Sequence, residues 1–219
     1  MSIDQYRVFG NPIHQSKSPN IHKAFAEATK QHINYQAQLV LEAVFEHTVK
    51  EFFATGGKGL NITVPFKQRA FAMAQAISPA AEKAEAANTL YLNEQGQLVA
   101  ENTDGVGLVR DICHNLNGEL KAKRILVLGA GGAVRGVLQP LLAQLPKQLI
   151  IANRTHSKAQ TLAASFADLG SIDALPMGQL KGQFDWVING TSASLAGDLP
   201  PLPDGLLTNN THCYDMMYS

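Results

Sequence analysis

Residues 124–136 have the sequence RILVLGAGGAVRG, in which a run of branched apolar residues leads into a glycine-rich turn. An unbroken apolar run of this kind is typical of a strand that is buried on both faces of a parallel sheet. Strand, glycine turn and helix, in this order, form the first unit of a dinucleotide-binding fold. The helix is indicated by apolar residues at helical spacing: Val134, Val137, Leu138, Leu141 and Leu142.

The glycine turn is the predicted binding site for a pyrophosphate. Glycines let the backbone approach this anion closely, and the helix start offers N–H groups and a positive dipole end. Gly129 and Gly131 match the first two glycines of G-x-G-x-x-G, but Val134 stands at the third place. A glycine-rich turn in some other α/β protein is the alternative interpretation. The predicted cofactor contacts in the turn are Gly129, Ala130, Gly131, Gly132 and Ala133.

The second strand of this unit, residues 149–152, predicts which dinucleotide binds. In NAD-preferring sites an acidic residue at the end of this strand binds the ribose 2′-hydroxyl. Here the strand ends at Asn153, Arg154 and Thr155, with Lys158 one turn further, and residues 149–166 contain no carboxylate. A guanidinium can hold a 2′-phosphate with two hydrogen bonds, and Thr155 can donate or cap the next helix. We therefore predict NADP rather than NAD, although a solvated arginine is the alternative.

The composition is that of an ordinary globular protein. The 219 residues suffice for one large or two modest domains, and 45% of them are apolar. Basic and acidic residues balance at 18 each, so a nucleic-acid or membrane partner is not expected. The sequence shows neither a secretion signal nor an apolar run of about 18 residues. Cys113 and Cys213 are expected to be free thiols of a cytoplasmic protein, and the seven histidines lack the spacing of a metal site.

The N-terminal half predicts a second α/β unit. Strands are expected over 6–9, 33–41 and 59–64, and helices between them favour a mostly parallel sheet. The first helix is expected to have Ser18 as its N-cap, Pro19 at its first position and an apolar face at Ile21, Phe25 and Ala28. The later elements are helices over 41–54, 67–77 and 79–87, a hairpin of residues 88–92 and 97–100, and a helix over 105–116.

Several polar residues of this half are candidates for ligand binding. Asn61, Thr63 and Lys67 lie at or just past the carboxyl end of a strand, where open α/β sheets bind ligands. Lys67 is near a helix start, where the dipole does not favour a cation, but a solvated lysine is the alternative. Helix capping is the alternative role for Asp104, and turn or capping chemistry is the alternative for Ser16 and Ser18.

The C-terminal half continues the dinucleotide-binding pattern. Further strands are predicted over 172–175, 184–189 and 212–216, with a helix over 157–167. Trp186 is expected in the core. Thr191 and Ser192 follow the strand 184–189, on the ligand side of the sheet.

Seven segments, in this order and with these gaps, resemble shikimate dehydrogenases. The resemblance covers nearly the whole chain. The segments are Ser16-Lys17-Ser18, Asn61 to Lys67, Asn88-Thr89-Leu90, Asn102 to Gly105, Gly129 to Ala133, Asn153-Arg154-Thr155 and Tyr214 to Tyr218.

The resemblance implies reversible, NADP-dependent reduction of 3-dehydroshikimate to shikimate, in aromatic amino-acid biosynthesis. Lys67 would be the catalytic acid/base, paired with Asp104. An aspartate would raise the pKa of Lys67 while desolvation would lower it, so the sequence leaves its protonation open. The implied substrate-binding residues are Ser16, Ser18, Asn61, Thr63, Lys67, Asn88, Asp104 and Tyr218, and the implied cofactor contacts beyond the glycine turn are Asn153, Arg154, Thr155, Lys158, Thr191 and Met216.

The resemblance also predicts the domain organisation. Residues 1–103 would bind substrate, and residues 104–219 would form an incomplete Rossmann-like NADP domain, because the family pattern continues beyond Ser219. We expect this truncation to weaken stability and turnover, and to favour self-association through an exposed apolar surface. A homodimer is left open. The alternatives are a quinate/shikimate dehydrogenase of broader specificity and a catalytically silent ligand-binding module.

Overall fold

The computed structural model describes residues 3–191 and 200–217, and the predictions for Ser192 and Tyr218 therefore fall outside the described residues. The chain divides into two compact units, residues 1–103 and 104–219. Within the described part, no helix has both the length and the apolar character needed to cross a membrane.

The first unit contains a six-stranded sheet in the order β2-β1-β3-β5-β6-β4. β1 pairs in parallel with β2 and β3, β4 pairs in parallel with β6, and β5 is antiparallel to β3 and β6. The elements are β1 (Asp4–Gly10), α1 (Ser18–Thr29), β2 (Ile33–Leu39), α2 (Phe45–Ala54), β3 (Gly59–Ile62), α3 (Lys67–Met73), β4 (Ala76–Ile77), α4 (Pro79–Ala84), β5 (Thr89–Leu92) and β6 (Leu98–Glu101).

The two faces of this sheet differ because side chains alternate along each strand. One face is apolar and contributes Phe9, Leu60 and Leu90 to a buried cluster with residues of α2, α3 and α4. The rings of Phe45 and Phe66 stack within this cluster, with centroids 4.4 Å apart. The opposite face carries polar and aromatic side chains and packs against α1.

The first helix differs from its prediction. Ser18 is the first helical residue, and Lys17 occupies the N-cap without a side-chain capping bond. The predicted apolar face is wrong as a buried face, because Ile21 is 47% exposed and Phe25 is 59% exposed. Ala26 is the buried residue of α1. The small alanine lets the helix approach the sheet, whereas Ile21 and Phe25 remain exposed.

The later helices of this unit are shorter than predicted. The expected helix over 41–54 begins as a 3₁₀ turn, Glu42–Val44, and Val44 is 44% exposed rather than in the core. The expected helix over 67–77 ends at Met73 because the following residues pair with β6. The Gln75 N–H donates to the Leu98 carbonyl at 2.9 Å, and the Leu98 N–H donates to Gln75 Oε1 at 2.6 Å.

The second unit contains a fully parallel five-stranded sheet in the order β11-β10-β7-β8-β9. The predicted Rossmann-like arrangement is confirmed. Its elements are α5 (Asp104–Arg110), a π-helical turn (Asp111–Asn115), β7 (Arg124–Leu128), α6 (Gly132–Leu142), β8 (Gln148–Ala152), α7 (His156–Ala164), β9 (Ile172–Ala174), β10 (Trp186–Asn189) and β11 (His212–Asp215), with 3₁₀ turns at Ala167–Leu169 and Met177–Gln179.

Buried apolar layers cover both faces of β7, as the sequence predicts. Ile125 and Val127 belong to one cluster, and Leu126 and Leu128 belong to the other. The predicted apolar residues of α6 are all buried in the first of these clusters. Trp186 is a core residue, as expected, and its indole N–H donates to the Glu119 carbonyl at 3.0 Å.

The helix predicted over 105–116 is divided into α5 and the π-helical turn. Asp111 opens this turn, and its carboxylate accepts hydrogen bonds from Asn115 Nδ2 at 2.7 Å and from the Tyr214 hydroxyl at 2.8 Å. The bonds from Asn115 and Tyr214 hold the pKa of Asp111 below its usual value. Burial and the bond to Asp111 raise the pKa of Tyr214 to about 12. Tyr214 thus ties β11 to the end of α5.

Replacing Tyr214 by Phe should lower the free energy of unfolding by about 1 kcal/mol, because one part-buried hydrogen bond is lost. A group with a raised folded-state pKa stabilises below its unfolded pKa and loses that effect as pH rises through the folded value. The difference in free energy of unfolding between wild type and Tyr214→Phe should therefore shrink between about pH 10 and about pH 12. Guanidinium unfolding across this pH range measures it, with the exposed Tyr91→Phe as control. A pH-independent difference contradicts the assignment.

Candidate active site

The glycine turn of the second unit leaves room for a ligand. Gly129 has φ +110°, a conformation that favours glycine, and its N–H donates to the Ala152 carbonyl at 2.8 Å. Gly131 occupies the N-cap of α6, and a Cβ built on it would meet no atom within 4 Å. The first turn of a helix has N–H groups without intrahelical acceptors, so this end of α6 suits an anion.

Val134, at the place of the third motif glycine, is accommodated by Gly190, the residue that follows β10. Val134 is fully buried. A Cβ built on Gly190 would lie 2.5 Å from Val134 Cγ2, and one built on Gly129 would lie 3.2 Å from it. The close approach of α6 to the sheet, which the third glycine usually permits, is thus obtained by the absence of a side chain at Gly190.

The predicted contacts Thr191 and Met216 lie at the same edge of the sheet. The Gly190 N–H donates to the Leu128 carbonyl and the Met216 N–H to the Asn189 carbonyl, both at 2.9 Å. Asn189 Oδ1 accepts from the Thr191 hydroxyl at 2.7 Å and from its N–H at 3.1 Å. Sequence reasoning did not single out Asn189, although a polar residue ending a buried strand is a usable signal.

The residues after β8 form the start of α7. Asn153 Nδ2 donates to the Thr155 carbonyl at 2.9 Å, which fixes the turn. Thr155 occupies the N-cap of α7, but its side chain makes no capping bond. Of the two options for this side chain, capping the helix and donating to a ligand, the structure does not show the first. Arg154 and Lys158 are exposed, and Lys158 lies in the first turn of the helix. Two cationic side chains therefore flank the carboxyl end of β8.

In the first unit, the predicted polar residues follow β1 and β3. Ser16 Oγ accepts from the Ser18 N–H at 3.3 Å, so the two serines belong to one turn. Thr63 follows β3, and its N–H donates to the Phe9 carbonyl at 2.9 Å. A Cβ built on Gly10 would lie 2.5 Å from Thr63 Cγ2, so the glycine permits this approach.

Backbone hydrogen bonds bring Lys67 and Asn88 to the same end of this sheet. Lys67 begins α3, and its carbonyl accepts from the Ala87 N–H at 2.8 Å. Asn88 follows Ala87 in the chain, and the Asn88 carbonyl accepts from the Ile62 N–H, also at 2.8 Å. The structure therefore groups Thr63, Lys67 and Asn88. Asp104 begins α5 of the second unit.

The Asn88 side chain is held in one orientation. Its Oδ1 accepts from the Thr103 N–H at 3.1 Å and from the Thr89 hydroxyl at 3.0 Å, while its Nδ2 donates to Thr103 Oγ1 at 2.9 Å. Asn102, only 4% exposed, supports the same region through a bond from its Nδ2 to the Ala86 carbonyl at 2.9 Å. No local sequence signal marks Asn102 as a support, because its partner, Ala86, is distant in the chain.

Comparison with known proteins identifies the family. A model described as the shikimate dehydrogenase substrate binding domain matches residues 8–90, and one described as shikimate / quinate 5-dehydrogenase matches residues 111–196. The chain is 58% identical over 216 residues to an NADP(+) shikimate dehydrogenase of Cellvibrio japonicus, covering 98% of this chain and 78% of that protein. The chain belongs to the shikimate dehydrogenase family.

Solved structures of related proteins share the fold. The crystal structure of an Ael1 enzyme from Pseudomonas putida has a TM-score of 0.89 at 46% identity, covering 99% of this chain and 79% of that chain. Shikimate 5-dehydrogenase from Thermus thermophilus, solved in complex with NADP(H) and shikimate, has a TM-score of 0.83 at 29% identity, covering 97% of this chain and 78% of that chain. The resemblance inferred from the seven segments is confirmed.

Replacing Gly190 by Ala in this shikimate dehydrogenase family member should lower the free energy of unfolding by about 1–3 kcal/mol, because the new methyl group overlaps Val134. Combining it with Val134→Ala should restore part of that loss, because the smaller side chain removes the overlap. Gly178→Ala is the matched control, since a Cβ there meets no atom within 4 Å. Purely additive effects of the two substitutions in denaturant unfolding would contradict this packing.

Proposed function

We propose that this chain catalyses the reversible, NADP-dependent reduction of 3-dehydroshikimate to shikimate, a step of aromatic amino-acid biosynthesis. One observation carries the proposal: a curated NADP(+) shikimate dehydrogenase matches 98% of the chain at 58% identity. The related Thermus protein, with both NADP(H) and shikimate bound, supports the choice of ligands.

The second unit fits NADP at two places. The turn formed by Gly129, Ala130, Gly131, Gly132 and Ala133 would bind the pyrophosphate, since Gly131 leaves open space beside the N–H groups at the start of α6. Arg154 and Lys158 would bind the 2′-phosphate, with Asn153 and Thr155 shaping the turn. Thr191 and Met216 would lie beside the nicotinamide end.

The first unit supplies the proposed substrate contacts. Ser16 and Ser18 would donate hydrogen bonds to the carboxylate, because their hydroxyls share one turn. Thr63 and Asn88 would bind ring hydroxyls. Asp104 would also bind a ring hydroxyl, and Asn61, on β3, supports Asn88 through a hydrogen bond to its carbonyl. For Tyr218 the proposal depends on the sequence resemblance alone.

Lys67 and Asp104 are the proposed acid/base pair. Bound NADPH supplies a hydride to the carbonyl carbon of the substrate. As that carbon is reduced, the oxygen gains negative charge and needs a proton. The Lys67 ammonium stabilises this charge and donates the proton, and in the oxidation direction Lys67 accepts the hydroxyl proton. The Asp104 carboxylate would hold a substrate hydroxyl.

Replacing Arg154 by Asp should weaken NADP binding about tenfold or more and change NAD binding much less, because only NADP carries the 2′-phosphate. Calorimetric titration of the 219-residue chain with each dinucleotide measures both affinities. Lys147→Asp is the matched control, since this exposed lysine precedes β8 at the opposite end of the strand from Arg154. Equal losses for NADP and NAD would refute the assignment of Arg154.

Replacing Lys67 by Ala should lower kcat for shikimate oxidation by about 10²-fold and raise KM far less, because the proton donor is lost. The control is Lys83→Ala, a change of a lysine in the last turn of α4. Rates of NADPH formation under saturating substrate give kcat. A Lys67→Ala variant with near-normal kcat rules out the catalytic role.

The same assays distinguish the alternative functions. Quinate in place of shikimate tests the broader specificity that the name of the second family model includes. Ligand binding without turnover would identify a silent binding module.

We also propose a cytoplasmic location, for which the two free thiols, Cys113 and Cys213, are the support. Sedimentation of the 219-residue chain measures whether it forms the homodimer that the sequence leaves open.

A further inference from the structure

A chain of side-chain hydrogen bonds crosses the polar face of the first unit's sheet and ends at Asn88. The Tyr35 hydroxyl, on β2, donates to Asn61 Oδ1, on β3, at 2.6 Å. Asn61 Nδ2 donates to Thr89 Oγ1, its direct partner on β5, at 3.2 Å. The Thr89 hydroxyl donates to Asn88 Oδ1 at 3.0 Å. Four side chains from three strands and the residue preceding β5 are thus connected.

Tyr35 and the Asn88 carbonyl together fix the direction of donation along this chain, because Asn61 Nδ2 also donates to that carbonyl at 3.4 Å. A hydroxyl has one proton, whereas an amide has an oxygen that accepts and a nitrogen that donates. Because Tyr35 donates to the oxygen of Asn61, the nitrogen of Asn61 must face Thr89. Thr89 then receives a bond from Asn61, and its own proton is directed to Asn88. Rotation of the Asn61 amide by half a turn would reverse this order and remove the donor to Asn88.

A second residue reinforces the orientation of Tyr35 and Asn61. The ring of His22, on α1, stacks on the Tyr35 ring with centroids 4.1 Å apart and an interplanar angle of 6°. Burial lowers the pKa of His22, and a hydrogen bond with Asn61 opposes that effect. A neutral imidazole with one N–H can donate to the same amide oxygen that accepts from Tyr35.

We propose that Tyr35 is a positioning residue, which orients the Asn88 amide toward the substrate through Asn61 and Thr89. This inference depends on the proposed role of Asn88 in binding a ring hydroxyl. Without the Tyr35 hydroxyl, Asn88 loses the directed proton of Thr89 but keeps its bonds with Thr103. Asn88 would then be held by Thr103 alone, so its amide would be less firmly fixed before a ligand binds.

The first test needs no ligand. In ¹H–¹⁵N NMR spectra of the 219-residue chain, Tyr35→Phe should shift the Asn88 side-chain NH₂ signals and the Thr103 amide signal. Tyr91→Phe is the matched control, because it removes a hydroxyl from β5 that takes no part in the connected bonds. Unchanged Asn88 and Thr103 signals in Tyr35→Phe would overturn the inference, whatever the chain binds.

The second test measures shikimate affinity by calorimetry. Tyr35→Phe and Thr89→Val should each raise Kd for shikimate about fivefold, as expected for the loss of one hydrogen bond, and leave Kd for NADP unchanged. Thr89→Ser, which keeps the hydroxyl, should restore wild-type binding. The double variant should bind no more weakly than either single variant, since both interrupt the same connection.

The outcomes separate the inference from the proposed function. If wild type binds no shikimate, the proposed function fails, and the NMR test alone decides the role of Tyr35. If wild type binds but Tyr35→Phe retains wild-type affinity, or loses shikimate and NADP affinity equally, the positioning role is wrong.

Discussion

The second unit depends on the burial of β7 between two apolar layers. Ile125 and Val127 face one layer, Leu126 and Leu128 face the other, and all four are almost completely excluded from solvent. Burial of such side chains contributes about 1.5–3 kcal/mol each. With neighbours on both sides, β8 and β10, this strand cannot shift in register without bringing Arg124 or Gly129 into a position now held by an apolar side chain. The glycine turn is therefore held at the sheet edge, where the N-terminus of α6 can meet an anion.

In the first unit, side-chain hydrogen bonds rather than apolar layers hold the residues at the end of the sheet in place. Its sheet ends in side chains that must be oriented as well as placed, since an amide can face a ligand with either its oxygen or its nitrogen. Hydrogen bonds from the Thr103 N–H and the Thr89 hydroxyl to Oδ1 fix the orientation of the Asn88 amide. Buried Asn102 holds the adjacent backbone at Ala86. A buried polar group is costly unless it is bonded, so such groups favour a single arrangement of the loop.

The sequence predicted those features that depend on local pattern. An unbroken apolar run predicted the strand at 124–128, and apolar residues at helical spacing predicted the helix that follows it. Trp186 was also expected in the core, where the structure places it. Features that depend on distant partners were missed. The space that Gly190 gives to Val134 connects positions 56 residues apart, and the bond from Tyr35 to Asn61 spans 26 residues.

Wrong predictions have a similar origin. The spacing of Ile21 and Phe25 indicates an apolar helix face, but it does not say which neighbour covers that face. In the structure, α1 lies against β2 through Ala26, and both larger side chains are exposed. The helix expected over 67–77 ended early because the backbone of Gln75 found its partner on β6. Competition from sheet pairing is not visible in helical periodicity.

The most direct test of the account is ³¹P NMR of NADP titrated with the 219-residue chain. If the glycine turn binds the pyrophosphate and the cations after β8 bind the 2′-phosphate, both sets of phosphorus resonances should shift and broaden together, and excess shikimate should not displace them. Unchanged pyrophosphate resonances at saturating protein would contradict the central claim that this turn is a dinucleotide site.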